Sequence, residues 1–279
     1  MVATDSPKKI TRIQTRQAFS FFEWKELFEY RDLLYFLSLR ELKLRYKQTS
    51  LGLAWVVLQP LAQAIIFAVL FGNFGRLPSN GQPYVLMVFT GLIPWGLFSN
   101  TIGRAGGSLV ANANLLSKIY FPRLIIPLAS VGSVVLDSLV SVFALVLMML
   151  LFSVGIGWHV LAAPLFLLAS LAMGLGVTLV VASLNVYFRD FGFAVPFVLQ
   201  AWIYLTPVVY STELIPEKWR FLYALNPTVG LVEGFRWSML GGTTLSVEML
   251  VSMGVGLVVS LSVGMAVFQN IERGFADII

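Results

Sequence analysis

The sequence predicts an all-α integral membrane protein with six transmembrane helices, an N-terminal interfacial helix and a re-entrant helical hairpin before the last span. Four observations lead there. Of 279 residues, 58% are hydrophobic and 12% charged, about half the charged share of a soluble domain. Mean hydropathy is +0.83. Uncharged runs recur that are long enough to cross ~30 Å of hydrocarbon, which takes about 20 helical residues. The basic residues are also lopsided: fifteen of nineteen fall on one side of those runs.

Residues 1–17 are polar and basic, with Lys8, Lys9, Arg12 and Arg16, and read as a disordered cytoplasmic tail. Residues 18–50 form an amphipathic helix and a basic lead-in. Phe21, Trp24, Leu27 and Phe28 share one helical face, and Glu23, Lys25, Glu26 and Glu29 take the other. Aromatics opposite charge suit a helix lying in the membrane interface; a surface helix packed on a partner protein would carry the same pattern. Arg40, Lys43, Arg45 and Lys47 then crowd the edge of the first span and mark its cytoplasmic end.

The six-span domain occupies 51–279. Span one covers about 51–74, with Pro60 as a kink. Span two covers about 84–103, where Gly91, Pro94 and Gly96 predict a break. A connection follows, with a small helical piece at Ala111 to Lys118. Span three is about 124–152 and carries Asp137, the single carboxylate within a span. Such groups face the bundle or a cavity and have a partner; Asp137 either pairs with a buried polar group or stays protonated. Span four is about 160–184, span five 193–210 and span six 249–268.

The stretch from Tyr204 to Arg236 organises the rest. After a charged cluster at Glu213, Glu217, Lys218 and Arg220 come twelve uncharged residues, Phe221 to Val232. That is too short to cross and apolar enough to dip in, with Asn226 and Pro227 as a break at its centre. Non-helical backbone at membrane depth is tolerated only against protein or a water-filled path. The expectation is a re-entrant hairpin at about 214–244, with Glu233 and Arg236 one helical turn apart at the mouth of a pathway. The alternative is an amphipathic helix on an outside loop.

Six spans place both termini on one side, and the charge bias makes that side cytoplasmic. No short apolar core with a cleavage site follows Met1, so no removable signal peptide is expected. The chain has no cysteine, which removes disulfides and thiol chemistry. No GxxxxGK[ST] loop occurs, so the chain does not cradle nucleotide phosphates itself. His159 is the lone histidine, no GxSxG elbow appears, and no carboxylates pair closely enough to hold Mg²⁺. The expectation is therefore a transport subunit rather than an enzyme, binding no metal or cofactor, with energy supplied by another chain.

Three stretches carry a likeness. Arg31 to Leu61, Tyr120 to Ala129 and Leu205 to Arg236 resemble, in the same order, signatures of the membrane permeases of type 2 ATP-binding-cassette exporters, in their polysaccharide branch. That branch handles O-antigen, capsule and teichoic acid. The resemblance implies a homodimer with two cytoplasmic ATPase subunits that hold the ATP and Mg²⁺. It also implies export of an undecaprenyl-linked glycan across the bacterial inner membrane. The family's ATPase-coupling helix maps to Asn112, Asn114, Leu115, Leu116, Ser117 and Lys118, with the two leucines as plugs.

A gliding sugar polymer needs broad, weak contacts rather than deep binding minima. Phe67, Phe71, Trp202, Tyr204 and Tyr210 are the candidate pathway aromatics; interface belts and lipid-facing positions account for such residues equally. Gly103 with Gly107, and Ala172 with Gly176, are spaced for close helix approach. Two other functions stay in view: a drug or lipid exporter of the same architecture, and a membrane-embedded glycan-modifying enzyme.

Overall fold

The structure, a computed structural model, describes residues 24–47, 51–79, 81–242 and 245–272. The expectations for the tail, for Phe21 and for the C-terminal end lie outside these residues. Among the described residues the chain is helical throughout, with no strand. Two short-linked helices, α1 (Trp24–Glu29) and α2 (Arg31–Tyr46), precede α3 (Ala54–Phe67), which continues as a π-helical stretch, Ala68–Phe74. α4 (Tyr84–Ala105) is followed by two single turns, α5 (Ser108–Ala111) and α6 (Ala113–Leu116). α7 (Ile125–Leu151) and α8 (Ala163–Tyr187) are joined through a 3₁₀ turn at Trp158–Ala162. Then come α9 (Phe191–Trp202), α10 (Glu217–Ala224), α11 (Pro227–Leu240) and α12 (Val247–Glu272).

Among the described residues, five helical stretches are long and apolar enough to cross a membrane: 54–74, 84–105, 125–151, 158–187 and 247–272. The sixth predicted span is shorter. α9 and its 3₁₀ continuation end at Leu205, about 22 Å of helix at 1.5 Å per residue. Thr206 is extended, and the chain to Ser211 is non-helical rather than part of a span reaching 210.

α4 is the axis of the bundle, packed against α3, α7, α8 and α11. Its predicted break does not occur: the helix runs unbroken through Gly91, Pro94 and Gly96. Neighbouring helices bury nearly every residue from Leu86 to Phe98, and such packing holds a proline in a helix within the membrane. Core hydroxyls are satisfied locally: Thr90, Thr101, Ser170, Thr178 and Ser183 each donate to the carbonyl four residues back.

Glycine sets the closest crossing. A Cβ at Gly176 or Gly264 would fall on the partner helix backbone, so α8 and α12 touch there main chain to main chain. Ala172 and Gly176 were expected to mark such a contact, and Gly176 makes it. Gly103 and Gly107 face open space instead.

A second, smaller core lies where α7 begins and α12 ends, around Leu109, Phe121, Leu124, Ile125 and Phe268. Leu27, Tyr30, Leu33, Leu34 and Leu37 pack on it, while Phe28, Tyr35 and Phe36 are exposed on the same two helices. α1 and α2 thus have one protein-facing edge and one bare apolar edge.

Candidate functional site

Polar residues scattered through apolar spans converge in one place. A cavity of about 510 Å³ opens between α3, α4, α7 and α9. Gln59 and Gln63 reach it from α3, Asn100 from α4 and Gln200 from α9. Trp95 and Tyr204 contribute aromatic surface. The rest of the wall mixes apolar side chains such as Leu92, Ile93 and Leu199 with the hydroxyls of Ser99, Ser138 and Ser141, and its neutral polar groups can exchange hydrogen bonds with a polar guest at little net cost.

Charge gathers at one part of this wall. Asp137 Oδ2 accepts from Arg45 Nη2 at 2.9 Å and Arg104 Nη2 at 2.8 Å. Its Oδ1 accepts from the Tyr46 hydroxyl. Three helices therefore meet on one carboxylate: α2 ends in Arg45 and Tyr46, α4 ends near Arg104, and α7 carries Asp137. Gly132 makes room for Ser38 of α2 against α7, with 3.1 Å between a Cβ there and that of Ser38. Burial, with the hydrogen bond to Asp137, pushes the Tyr46 phenol up to about 12. It remains a donor. Of the two outcomes open for Asp137, pairing is the one found.

Glu233 and Arg236 are placed differently from expectation. Both are 2% exposed, and neither lines the polar cavity. Arg236 Nη1 donates to Glu233 Oε1 at 2.6 Å, and Nη2 donates to the carbonyls of Pro207 at 2.7 Å and Val208 at 3.1 Å. The Tyr84 hydroxyl takes the next carbonyl, Val209, at 2.6 Å. Side chains of α11 and α4 thus satisfy the backbone that α9 leaves open where it unwinds, as buried carbonyls require. Gly91 permits the approach, since a Cβ there would stand 2.8 Å from Arg236 Nη2.

Asn226 and Pro227 form the expected break, and its chemistry is a helix cap. Asn226 Oδ1 accepts from the Thr228 amide at 3.2 Å and hydroxyl at 2.7 Å, with Pro227 in the first turn of α11. Asn226 Nδ2 donates to Leu205 O at 3.0 Å, and Thr206 and Thr228 share a hydroxyl contact of 2.8 Å. The turn is fastened to the end of α9.

The five pathway aromatics do not assemble into one surface. Tyr204 lies on the polar cavity. Trp202 lies on a separate apolar groove beside α10 and donates to Asn226 Oδ1 at 3.4 Å. Phe67 and Phe71 pair at 6.0 Å and pack on the main core. Tyr210 donates to Tyr204 O at 2.9 Å and accepts from Tyr223 at 3.0 Å.

In the connection after α4, Asn112 accepts from Arg40 at 3.4 Å and donates to Ser108 O at 3.0 Å. Leu115 and Leu116 are partly buried against the second core. Asn114, Ser117 and Lys118 are exposed, and beyond them Ile119 and Tyr120 stand out, the tyrosine 82% exposed. No cluster of metal-ligating side chains occurs among the described residues.

Residues 32–240 match the family model described as ABC-2 type transporter. The chain belongs to that family. An O-antigen export system permease protein, RfbA of Myxococcus xanthus, is 31% identical over 261 residues, spanning 91% of this chain and 98% of that protein. RfbA of Klebsiella pneumoniae is 29% identical, over 89% and 95% of the two chains. The polysialic acid transport protein KpsM of Escherichia coli is 25% identical, over 79% and 89%.

In this ABC-2 chain the matched region runs from the start of α2 to the end of α11. It takes in the Asp137 cluster, the cavity and the Arg236 contacts. Sequence reasoning missed Arg45, Arg104 and Tyr46 as partners of Asp137, because it counted the arginines only as markers of orientation. It also passed over Gln59, Gln63, Asn100 and Gln200. The signal was present: uncharged polar side chains inside apolar runs, Gln59 and Gln63 one turn apart on a shared face.

Proposed function

We propose that this chain is the permease subunit of an ATP-driven exporter that moves a lipid-linked polysaccharide, O-antigen-like and carried on undecaprenyl, out of the bacterial cytoplasm. It acts as a homodimer in the inner membrane, with two cytoplasmic ATPase subunits that hold ATP and Mg²⁺, and with both termini cytoplasmic. The exposed edge of α1 and α2 lies in the interface. α9 is the sixth crossing, completed by the chain after it. α10 and α11 form the re-entrant hairpin: at 8 and 14 residues they measure about 12 and 21 Å, each short of a ~30 Å core.

The observation that carries this reading is the cavity between α3 and α9, where four amide side chains, Gln59, Gln63, Asn100 and Gln200, stand among apolar residues. α9 has no buried residue, and Phe193 and Phe197 are largely exposed. A second copy set against these faces closes two such cavities into one polar conduit. Amides and hydroxyls bind sugar hydroxyls without deep minima, so the polymer slides. Tyr204 and Trp95 offer faces for the sugar C–H surfaces.

The test is reconstitution of the full chain with its ATPase in liposomes, with a labelled undecaprenyl-linked glycan on the ATPase side. ATP-dependent appearance of glycan inside supports the reading. Movement without ATP, or movement of lipids or drugs but no glycan, sinks it.

A further inference from the structure

Arg45 and Arg104 line two cavities at once. One is the polar cavity of the candidate site; the other, about 520 Å³, lies between α2, α5 and α7 beside Glu41, Asn112 and Ser130. The two arginines stand between them, and Asp137 lines the first. Two guanidiniums share one carboxylate, so the group carries net positive charge. The arginine side chains keep 32% and 27% of their exposure, so solvent and ligand can reach them.

Their donors are not used up. Arg45 pairs with Asp137 through Nη2 and lies over the Tyr46 ring, 5.5 Å from its centroid, which leaves the Nε and Nη1 edge of the guanidinium to the cavities. Arg104 spends Nη2 on Asp137, and its Nη1 reaches Ser133 Oγ only at 3.4 Å. Buried beside them, Ser138 Oγ has no partner. A structural ion pair is normally closed on itself. This one keeps open guanidinium edges, and those are the planar forks that grip phosphate oxygens in pairs.

We propose that Arg45 and Arg104 form an anion site for a phosphate or diphosphate ester, with Asp137 as the internal anion that fills it when the ligand is away. This rests on the export reading above and assigns the charged joint of its lipid-linked cargo. The ester reaches the arginines from the cavity beside α2, whose exposed aromatic edge borders the lipid. The glycan beyond it enters the amide-walled cavity. Net charge at the shared wall and neutral polarity beyond it sort the two ends of one amphiphilic molecule. Tyr46, held protonated on Asp137, keeps the carboxylate in place when the arginines turn to the ligand.

Binding decides the matter separately from transport. The full chain is placed in phosphatidylcholine nanodiscs, which carry no competing net charge, and titrated with farnesyl diphosphate, farnesol and inorganic diphosphate. The wild type binds farnesyl diphosphate, and R45Q and R104Q each weaken it about tenfold or more, the scale of one charged hydrogen bond. Farnesol binding stays the same in all variants. D137N removes the competing carboxylate and tightens diphosphate binding; an ion pair with a purely structural role predicts that it weakens. Competition by inorganic diphosphate at equal concentration identifies a headgroup site, and failure to compete identifies one that needs the attached lipid. If R104Q does not fold, R45Q and D137N carry the comparison. Unchanged affinity in R45Q, or loss in D137N matching that of the arginine variants, overturns the proposal even if export itself is demonstrated.

Discussion

Arg236, on α11, donates to the carbonyl oxygen of Pro207 across 2.7 Å, twenty-nine residues back along the chain. The contact joins a helix that is nearly all buried to the point where another helix unwinds. Its second nitrogen holds Glu233, so one guanidinium neutralises a buried carboxylate and completes a broken backbone.

Removing that guanidinium is expected to be severe. R236Q takes the guanidinium away from the buried Glu233 carboxyl and from the carbonyls of Pro207 and Val208, a loss of about 3–5 kcal/mol. E233Q keeps the carbonyl contacts and costs less. Thermal unfolding of the two purified variants, followed by size-exclusion chromatography, checks the order. Equal loss in both means the carbonyl contacts contribute nothing.

The cap at Asn226 gives a smaller effect. N226A loses the bond to the Thr228 amide and the contact with Leu205 O, at a cost of about 1–2 kcal/mol. N226D retains the acceptor but not the donor and falls between. Limited proteolysis between α9 and α11 follows the loosening, with N226A cut fastest.

Glycine position is testable by contrast. G264V forces α8 and α12 apart at their backbone contact and is expected to abolish a monodisperse folded peak. G103A and G107A, where nothing approaches, leave the peak intact. A stable G264V protein would show that the helices can separate there.

The amides of the cavity concern transport and not folding. Q59L, Q63L and Q200L present apolar surface to the cargo and are expected to slow glycan export about tenfold as a set, on the scale of one or two lost hydrogen bonds. Their melting temperatures stay within a few degrees of wild type, because these side chains face open space. Parallel flux and melting curves separate the two effects.

Native cysteine is absent, so single-cysteine labelling maps the topology directly. S117C and K218C are both at exposed positions and are expected to react with membrane-impermeant reagent from opposite faces, S117C from the cytoplasm. Labelling from the same face removes the re-entrant hairpin and the orientation together.

The helical membrane class, most span positions and the break at Asn226 were legible because they depend on composition and local chemistry. Uncharged runs of sufficient length have few alternatives, and an Asn-Pro step caps a helix wherever it falls. The predicted break in α4 failed for the opposite reason: Gly91, Pro94 and Gly96 weaken a helix locally, and burial on all sides restores it. The role of Leu115 and Leu116 as plugs came from the resemblance alone; their packing on a neighbouring core depends on helices distant in sequence.

Residue order alone settled that this chain lives in a bilayer, roughly where it crosses, and which family it joins, since hydrocarbon thickness and backbone hydrogen bonding act on each segment separately. It could not settle that Asp137 answers to Arg45 and Arg104, or that Arg236 closes the backbone at Pro207 and Val208. Those pairings span 28 to 92 residues of sequence and exist only once α2, α4, α7, α9 and α11 have packed. A charge buried in a low-dielectric interior must find a partner, but packing chooses which one.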